Sequence, residues 1–131
     1  MNEERKSARW RTRRIIYNND GDDVIESKTR HDTEEALMVN SGAGLIDDFL
    51  NARTMPLVGS QVDSNWYCSC MAGLMFSHRT MSGSFYGKGI PKGLVEKYGR
   101  DSLEIQADFS HQHGMEMFWS LRMNDGHDAY P

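Results

Sequence analysis

The sequence predicts an α/β fold built on parallel strands. Three short segments, near residues 13–19, 61–68 and 115–122, have strand-like composition, and helical patterns separate them along the chain. Strands that alternate with helices in this way pair in parallel through right-handed crossovers. At 131 residues the chain has the length of one domain, and its 38% hydrophobic and 26% charged residues are typical of a globular protein.

The first strand is predicted in RRIIYNN, residues 13–19, because this β-branched and aromatic segment leads into the turn sequence NDGDD. We interpret it as a buried strand that ends near Asn18. A helical pattern then begins near residue 32, is interrupted by two glycines, and resumes in GLIDDFLNAR, residues 44–53. Either one helix bends at these glycines or two short helices meet there.

The second strand is predicted in SQVDSNWYCS, residues 60–69. Residues 69–93 are rich in glycine and have little periodicity, which favours a long loop that is functional or mobile. His78 lies in this loop and carries no functional signal.

A helical pattern covers PKGLVEKYGRDSLEIQADFSHQHG, from about Pro91 to His113. Gly99 is expected to break it, and Asp101 is expected to cap a second helix. The third strand is predicted in MEMFWSLRM, residues 115–123. We expect its Trp119 to lie within the strand and to pack in the core.

Charge is distributed unevenly along the chain. Residues 1–14 carry six Lys and Arg against two Glu, a net +4, which leaves −8 on the remainder and −4 on the whole. A basic arm over residues 1–12 can bind phosphate backbones, but the acidic body and the lack of a nucleic-acid-reading motif favour a solvated terminus. We therefore expect no nucleic-acid partner.

The sequence also indicates no membrane partner. No apolar stretch approaches the ~20 residues that cross a bilayer, and the charged N-terminus lacks the apolar segment of a secretory signal.

Cys68 and Cys70 stand too close together to close a useful loop, so we expect two buried free thiols. The expected location is cytoplasmic by default, although a signal upstream of this sequence would change it.

Polar residues follow each predicted strand. The first strand ends in Asn18, Asn19 and Asp20; the second ends in Tyr67, Cys68 and Ser69; the third ends in Arg122, Asn124, Asp125, His127 and Asp128. Because ligands of parallel sheets meet the carboxyl ends of the strands, these residues predict a site at one edge of the sheet.

The third set suits a polyhydroxylated ligand. Arg122 and Asn124 supply planar donors, and Asp125 and Asp128 can accept hydrogen bonds from vicinal hydroxyls. Trp119 and Tyr130 could stack against a sugar face, which is the alternative to a core position for Trp119. The alternative is a surface loop in which Asn and Asp serve as capping residues. A metal site at Asp125, His127 and Asp128 has no standard spacing, and DGDD, residues 20–23, lacks the distant glutamate of an EF-hand.

No cofactor is expected. The sequence GAG, residues 42–44, interrupts a helical pattern and does not follow a strand, so it does not fit the dinucleotide-binding fingerprint. Ser41 lacks the spacing of a nucleophile elbow. We therefore predict neither a metal nor an organic cofactor.

Three segments, RRIIYNNDGDD, VDSNWYCSC and GMEMFWSLRMNDGHDAY, together resemble the amino-terminal part of bacterial glycoside-hydrolase-like proteins with a TIM-barrel catalytic domain. The resemblance spans about residues 13–130. It implies a partial (β/α)8 TIM barrel of about three βα units over residues 13–131. It also implies a sugar subsite lined by Asn19, Asp20, Arg122, Asn124, Asp125 and His127.

The resemblance further implies that the paired carboxylates of glycoside hydrolysis lie elsewhere. In this architecture the acid/base and the nucleophile typically follow the fourth and seventh strands, whereas three strands are predicted here. The chain is then the amino-terminal portion of an incomplete barrel, and we expect it to have no glycosidase activity alone.

Besides a nucleic-acid binder that would act through the basic arm, two functions stay open from the sequence. The first is part of a carbohydrate-active enzyme whose partner is a poly- or oligosaccharide. The second is a small complete α/β module that binds a ligand or partner without catalysis. Three parallel strands leave two open sheet edges, so we also expect possible self-association through them.

Overall fold

The computed structural model describes residues 14–21, 23–24, 44–70 and 74–122. In chain order its elements are β1 (Ile16–Asn19), α1 (Leu45–Arg53), a 3₁₀ turn (Met55–Leu57), β2 (Ser64–Cys68), β3 (Met75–Phe76), β4 (Ser84–Phe85), α2 (Gly89–Tyr98), α3 (Ser102–Gln112) and β5 (Glu116–Ser120). The predicted basic arm over residues 1–12 and the first half of the helical pattern after residue 32 lie outside the described residues.

The described residues form an α/β structure with a parallel sheet, as the sequence predicts. The sheet has the order β1-β2-β5, and both strand pairs are parallel. Asn19 lies opposite Tyr67, which in turn lies opposite Trp119. The sheet order therefore follows the chain order, and the carboxyl ends of the three strands lie at one edge.

The break between α2 and α3 is confirmed at the predicted residues. Gly99 ends α2 in the left-handed conformation, with φ of 69°, which a residue without a Cβ adopts at little cost. Asp101 then accepts hydrogen bonds from the backbone N–H groups of Leu103 and Glu104, and the Glu104 side chain accepts one from the Asp101 N–H. This capping box fixes where α3 begins.

The three helices pack on one common core. Its buried members come from all three helices, from β2 and from the turn after β1, and they are Val24, Leu45, Phe49, Leu50, Tyr67, Ile90, Leu94 and Ile105. Phe49 and Tyr67 meet edge to face with their ring centroids 6.4 Å apart. Because Tyr67 and Met117 contact this cluster, the helices cover the sheet face to which both side chains point.

The opposite face of the sheet exposes several large apolar side chains, although Ser64 and Cys68 on the same face are buried. Ile16, Trp66 and Phe118 lie on it, and their exposed fractions are 49%, 39% and 45%. Trp66 and Phe118 contact each other with ring centroids 5.4 Å apart. The prediction that β1 is buried is therefore wrong for most of the strand, since only its last residue, Asn19, is fully buried.

Trp119 also differs from its prediction. It lies in β5 as expected, but it is 47% exposed because it stands near the carboxyl end of the strand, beyond the core formed by the helices.

The glycine-rich segment after β2 is not all loop, since β3 and β4 form a short parallel pair in it. Both cysteines are free thiols, and only Cys68 is fully buried.

The described part of the chain contains no helix that combines the length and the apolarity of a membrane span.

Candidate functional site

The loops after the first and last strands of the sheet meet at its carboxyl edge. Asp20 directly follows β1, and Arg122 follows β5 by two residues. The Arg122 Nη2 atom lies 3.6 Å from Asp20 Oδ2. Arg53, the last residue of α1, forms an ion pair with the other oxygen of the same carboxylate. Asp20 is thus held between two guanidinium groups at this edge.

Gly21 allows the loop after β1 to lie against the end of β2. Its φ is +84°, and a Cβ built on it would overlap the backbone carbonyl oxygen of Cys68. The Gly21 N–H donates to Asn19 Oδ1 at 3.0 Å, which closes a tight turn. The glycine in the sequence NDGDD is therefore required both by the turn and by the close approach of β2.

Asp23 lies beneath this loop and is fully buried. Its Oδ2 accepts hydrogen bonds from Asn19 Nδ2 at 3.1 Å and from Gln106 Nε2 at 3.2 Å, and its Oδ1 accepts one from the Tyr67 hydroxyl at 3.4 Å. Burial raises the pKa of Asp23 from 3.8 to about 6, and the hydrogen bond from Asn19 and the positive charge of Arg53 oppose this rise.

Gln106 connects this carboxyl group to the rest of the interior. Its Oε1 accepts hydrogen bonds from Thr54 Oγ1 at 2.9 Å and from Asn65 Nδ2 at 3.1 Å, while its Nε2 donates to Asp23. Burial, and then the nearby Asp23, raise the pKa of Tyr67 well above its usual value. These fully enclosed groups support the site from inside the molecule, where no ligand reaches them.

A second polar cluster lies at the carboxyl ends of β2 and β5. Ser69 directly follows β2, and its Oγ lies 2.7 Å from His78 Nδ1. Trp119 Nε1 donates to the same oxygen at 2.8 Å. The His78 ring lies between two aromatic rings, with centroid distances of 5.2 Å to Phe76 and 5.8 Å to Trp119.

A hydroxyl bonded to an imidazole is the arrangement of many activated nucleophiles. Ser69, however, is only 1% exposed, and its oxygen already accepts the indole N–H of Trp119. A substrate carbon has no approach to such an oxygen. The cluster instead supports Trp119, the member with the larger exposed surface.

Three of the six predicted substrate-binding residues lie within the described structure. Asp20 and Arg122 are brought together at the carboxyl edge, and both are partly exposed. Asn19 is fully buried; its side chain donates to Asp23 and accepts from the Gly21 N–H, so it supports the loop from inside. The other three, Asn124, Asp125 and His127, lie outside the described residues.

Sequence reasoning missed His78, Arg53 and the exposed position of Trp119. His78 lies in a segment without periodicity, and Arg53 looks like an ordinary basic residue in the last turn of a helix. A strand signal gave the correct element for Trp119, but a tryptophan in an apolar strand is usually buried. No local pattern in the sequence distinguishes these three residues.

Within the described ranges, no group of three or more His, Cys, Asp or Glu side chains is arranged to hold a metal ion. Comparison with known protein families, with curated proteins and with solved structures finds no match to this chain.

Proposed function

We propose that the carboxyl edge of this sheet binds carbohydrate and that the chain is part of a glycoside-hydrolase-like protein. The observation that carries the proposal is the convergence of Asp20 and Arg122 at an edge that also exposes Trp119. A carboxylate and a guanidinium group can bind vicinal hydroxyls, since one accepts and the other donates hydrogen bonds. An exposed indole offers an apolar surface for the face of a sugar ring.

The arrangement of the sheet supports a place within a (β/α)8 barrel. Parallel strands follow one another in chain order, and the three helices pack on one sheet face. In a barrel the helices lie outside, and the opposite sheet face lines a packed interior. The exposed Ile16, Trp66 and Phe118 are the apolar side chains that such an interior would cover.

The proposal concerns recognition, and it assigns no hydrolytic step to the described residues. Asp20 is ion-paired with two arginines, which favours a carboxylate that accepts hydrogen bonds over a general acid or a nucleophile, and Asp23 is enclosed. Glycoside hydrolysis uses two carboxyl groups that flank the scissile bond. Neither aspartate is free to take such a role in the described arrangement.

Binding of a panel of neutral and acidic oligosaccharides, measured by isothermal titration calorimetry, tests the proposal. We expect at least one member to bind and Trp119→Ala to weaken its binding by about tenfold or more, the loss expected for a stacking aromatic contact. Trp66→Ala is the matched control, because Trp66 has similar exposure but lies on the opposite sheet face.

Arg122→Ala should also weaken binding, because it removes a donor at the carboxyl edge. Absence of binding across the panel would contradict the proposal. Equal losses for Trp119→Ala and Trp66→Ala, with both variants folded by circular dichroism, would contradict it as well.

A further inference from the structure

The hydrogen bonds at Ser69 have a direction that the chemistry of the groups fixes. An indole N–H only donates, so Ser69 Oγ accepts from Trp119. The hydroxyl hydrogen of this enclosed serine then needs an acceptor, and His78 Nδ1, at 2.7 Å, supplies one. The hydrogen-bond chain therefore runs from the Trp119 indole through the Ser69 hydroxyl to His78. It requires a neutral imidazole that carries its proton on Nε2.

The surroundings of His78 favour this neutral form. Burial lowers the pKa of His78 below its usual 6.5, and the negative charge of Asp101 opposes the shift. Arg79 partly compensates the negative charge of Asp101, because its backbone N–H donates to the Asp101 carboxylate and its guanidinium group pairs with it. Arg79 pairs in turn with Glu104. Near pH 7 the imidazole is thus neutral, and its Nδ1 can accept a hydrogen bond from the serine hydroxyl.

We propose that Ser69 and His78 are positioning residues that hold the Trp119 ring at the carboxyl edge, and that protonation of His78 releases it. A protonated imidazole carries hydrogen on Nδ1, the atom that faces the Ser69 hydroxyl. Two N–H donors then converge on one oxygen, and the hydroxyl hydrogen loses its acceptor where water does not reach. An unsatisfied buried donor is costly, so the hydrogen-bond chain breaks.

The consequence for ligand binding rests on the proposed function, because it assumes that Trp119 contacts the sugar. If the indole leaves its position when His78 is protonated, affinity for carbohydrate falls on acidification. The positioning of the indole itself needs no ligand and can be measured separately.

The intrinsic fluorescence of Trp119 tests the positioning directly. The variant Trp10→Phe/Trp66→Phe leaves Trp119 as the sole tryptophan. We expect one transition of its emission between pH 8 and pH 4.5, with a midpoint below 6.5 and no change in far-UV circular dichroism.

In the same background, His78→Gln should remove the transition and keep the high-pH emission, since a neutral amide oxygen can still accept from Ser69. Ser69→Ala should shift the emission already at pH 8, because the indole loses its acceptor. His113→Gln is the control and should keep the transition, because His113 stacks on Phe109 at the opposite end of β5.

An unchanged emission between pH 8 and 4.5, or an equal transition in His78→Gln, would overturn the inference. Nitrogen-15 NMR of the imidazole in the unmodified chain provides a test without substitutions, since we expect the Nε2–H form at pH 7.5. The Nδ1–H form would overturn it.

Oligosaccharide binding at pH 7.5 and pH 5 completes the experiment, and we expect an affinity that falls with pH only when His78 is present. A fluorescence transition without any carbohydrate binding would overturn the proposed function alone, because the emission assay contains no ligand.

Discussion

Replacing Asp23 by asparagine should change how the stability of this protein depends on pH. The carboxyl group is fully buried, and Asn19, Tyr67 and Gln106 all donate to it. The amide has nearly the same shape and can accept at the Oδ2 position from Asn19 and Gln106. It carries no charge at any pH, so the substitution removes the titration while it keeps most of the packing.

The magnitude follows from the raised pKa of Asp23. The folded protein binds the proton with a pKa of about 6, against 3.8 for the free side chain. Between these values the folded state holds more protons than the unfolded state, so stability falls as pH rises. A pKa difference of roughly two units corresponds to a destabilisation of the folded state by about 3 kcal/mol. This destabilisation is absent below pH 3.8 and complete above pH 6.

Urea unfolding of both proteins at a series of pH values measures this effect. We expect the free energy of unfolding of Asp23→Asn, relative to the unmodified chain, to rise by about 2 kcal/mol between pH 4.5 and 7.5. A constant offset from altered hydrogen bonds cancels in this comparison. Asp108→Asn, which removes a charge from the exposed side of α3, controls for general charge effects.

Parallel pH profiles of stability for the unmodified chain and Asp23→Asn would contradict this prediction. They would mean that the carboxyl group meets similar surroundings in the folded and unfolded states. Carbon-13 NMR of the Asp23 carboxyl group gives its pKa directly and would have to agree.

Two further substitutions test the local structure by urea unfolding. Gly21→Ala should destabilise the fold by about 3 kcal/mol or more, because its Cβ would overlap the Cys68 carbonyl, whereas Gly59→Ala, at a φ of +78° with open space around it, should cost only about 1 kcal/mol. Equal costs would contradict the close approach at Gly21. Asp101→Ala should cost about 1–2 kcal/mol by removing the capping box of α3, whereas Glu104→Gln, which can keep the reciprocal bond, should cost less. A smaller loss for Asp101→Ala than for Glu104→Gln would contradict the capping argument.

The elements of this fold were largely predictable because their signals are local. Asp101 stands three residues before Glu104, and this spacing by itself indicates a helix start. Gly99 marks the end of the preceding helix for an equally local reason, because glycine adopts the positive φ of a helix end at little cost. The alternation of strands and helices predicted the parallel sheet, and the observed pairing agrees.

Burial was less predictable from the same segments. The strand sequence IYNN contains no strict alternation, so it does not indicate which face is covered. Ile16 and Trp119 are apolar, yet both are about half exposed. Their exposure depends on which elements pack beside them, and neighbouring residues in the sequence do not determine that.

Some contacts of the candidate site could be predicted from the sequence, and others could not. The meeting of Asp20 with Arg122 was expected from the parallel order, because strand ends share one edge. Arg53 and Gln106 reach the loop after β1 from 33 and 83 residues away from their partners. No spacing rule connects residues so far apart, and their contribution becomes visible only in the folded chain.

Patterns in the sequence predicted the approximate positions of the three helices and of β1, β2 and β5, the parallel pairing of these strands, and the edge at which their polar ends gather, but they did not predict β3 and β4. Periodicity, capping and turn chemistry act over a few residues, so they can be read along the chain. Only in the folded chain is it apparent that Asp23 is enclosed, that Trp119 is exposed, and that Ser69 contacts His78. Desolvation and side-chain hydrogen bonds depend on atoms from distant segments, which come together only when the chain folds.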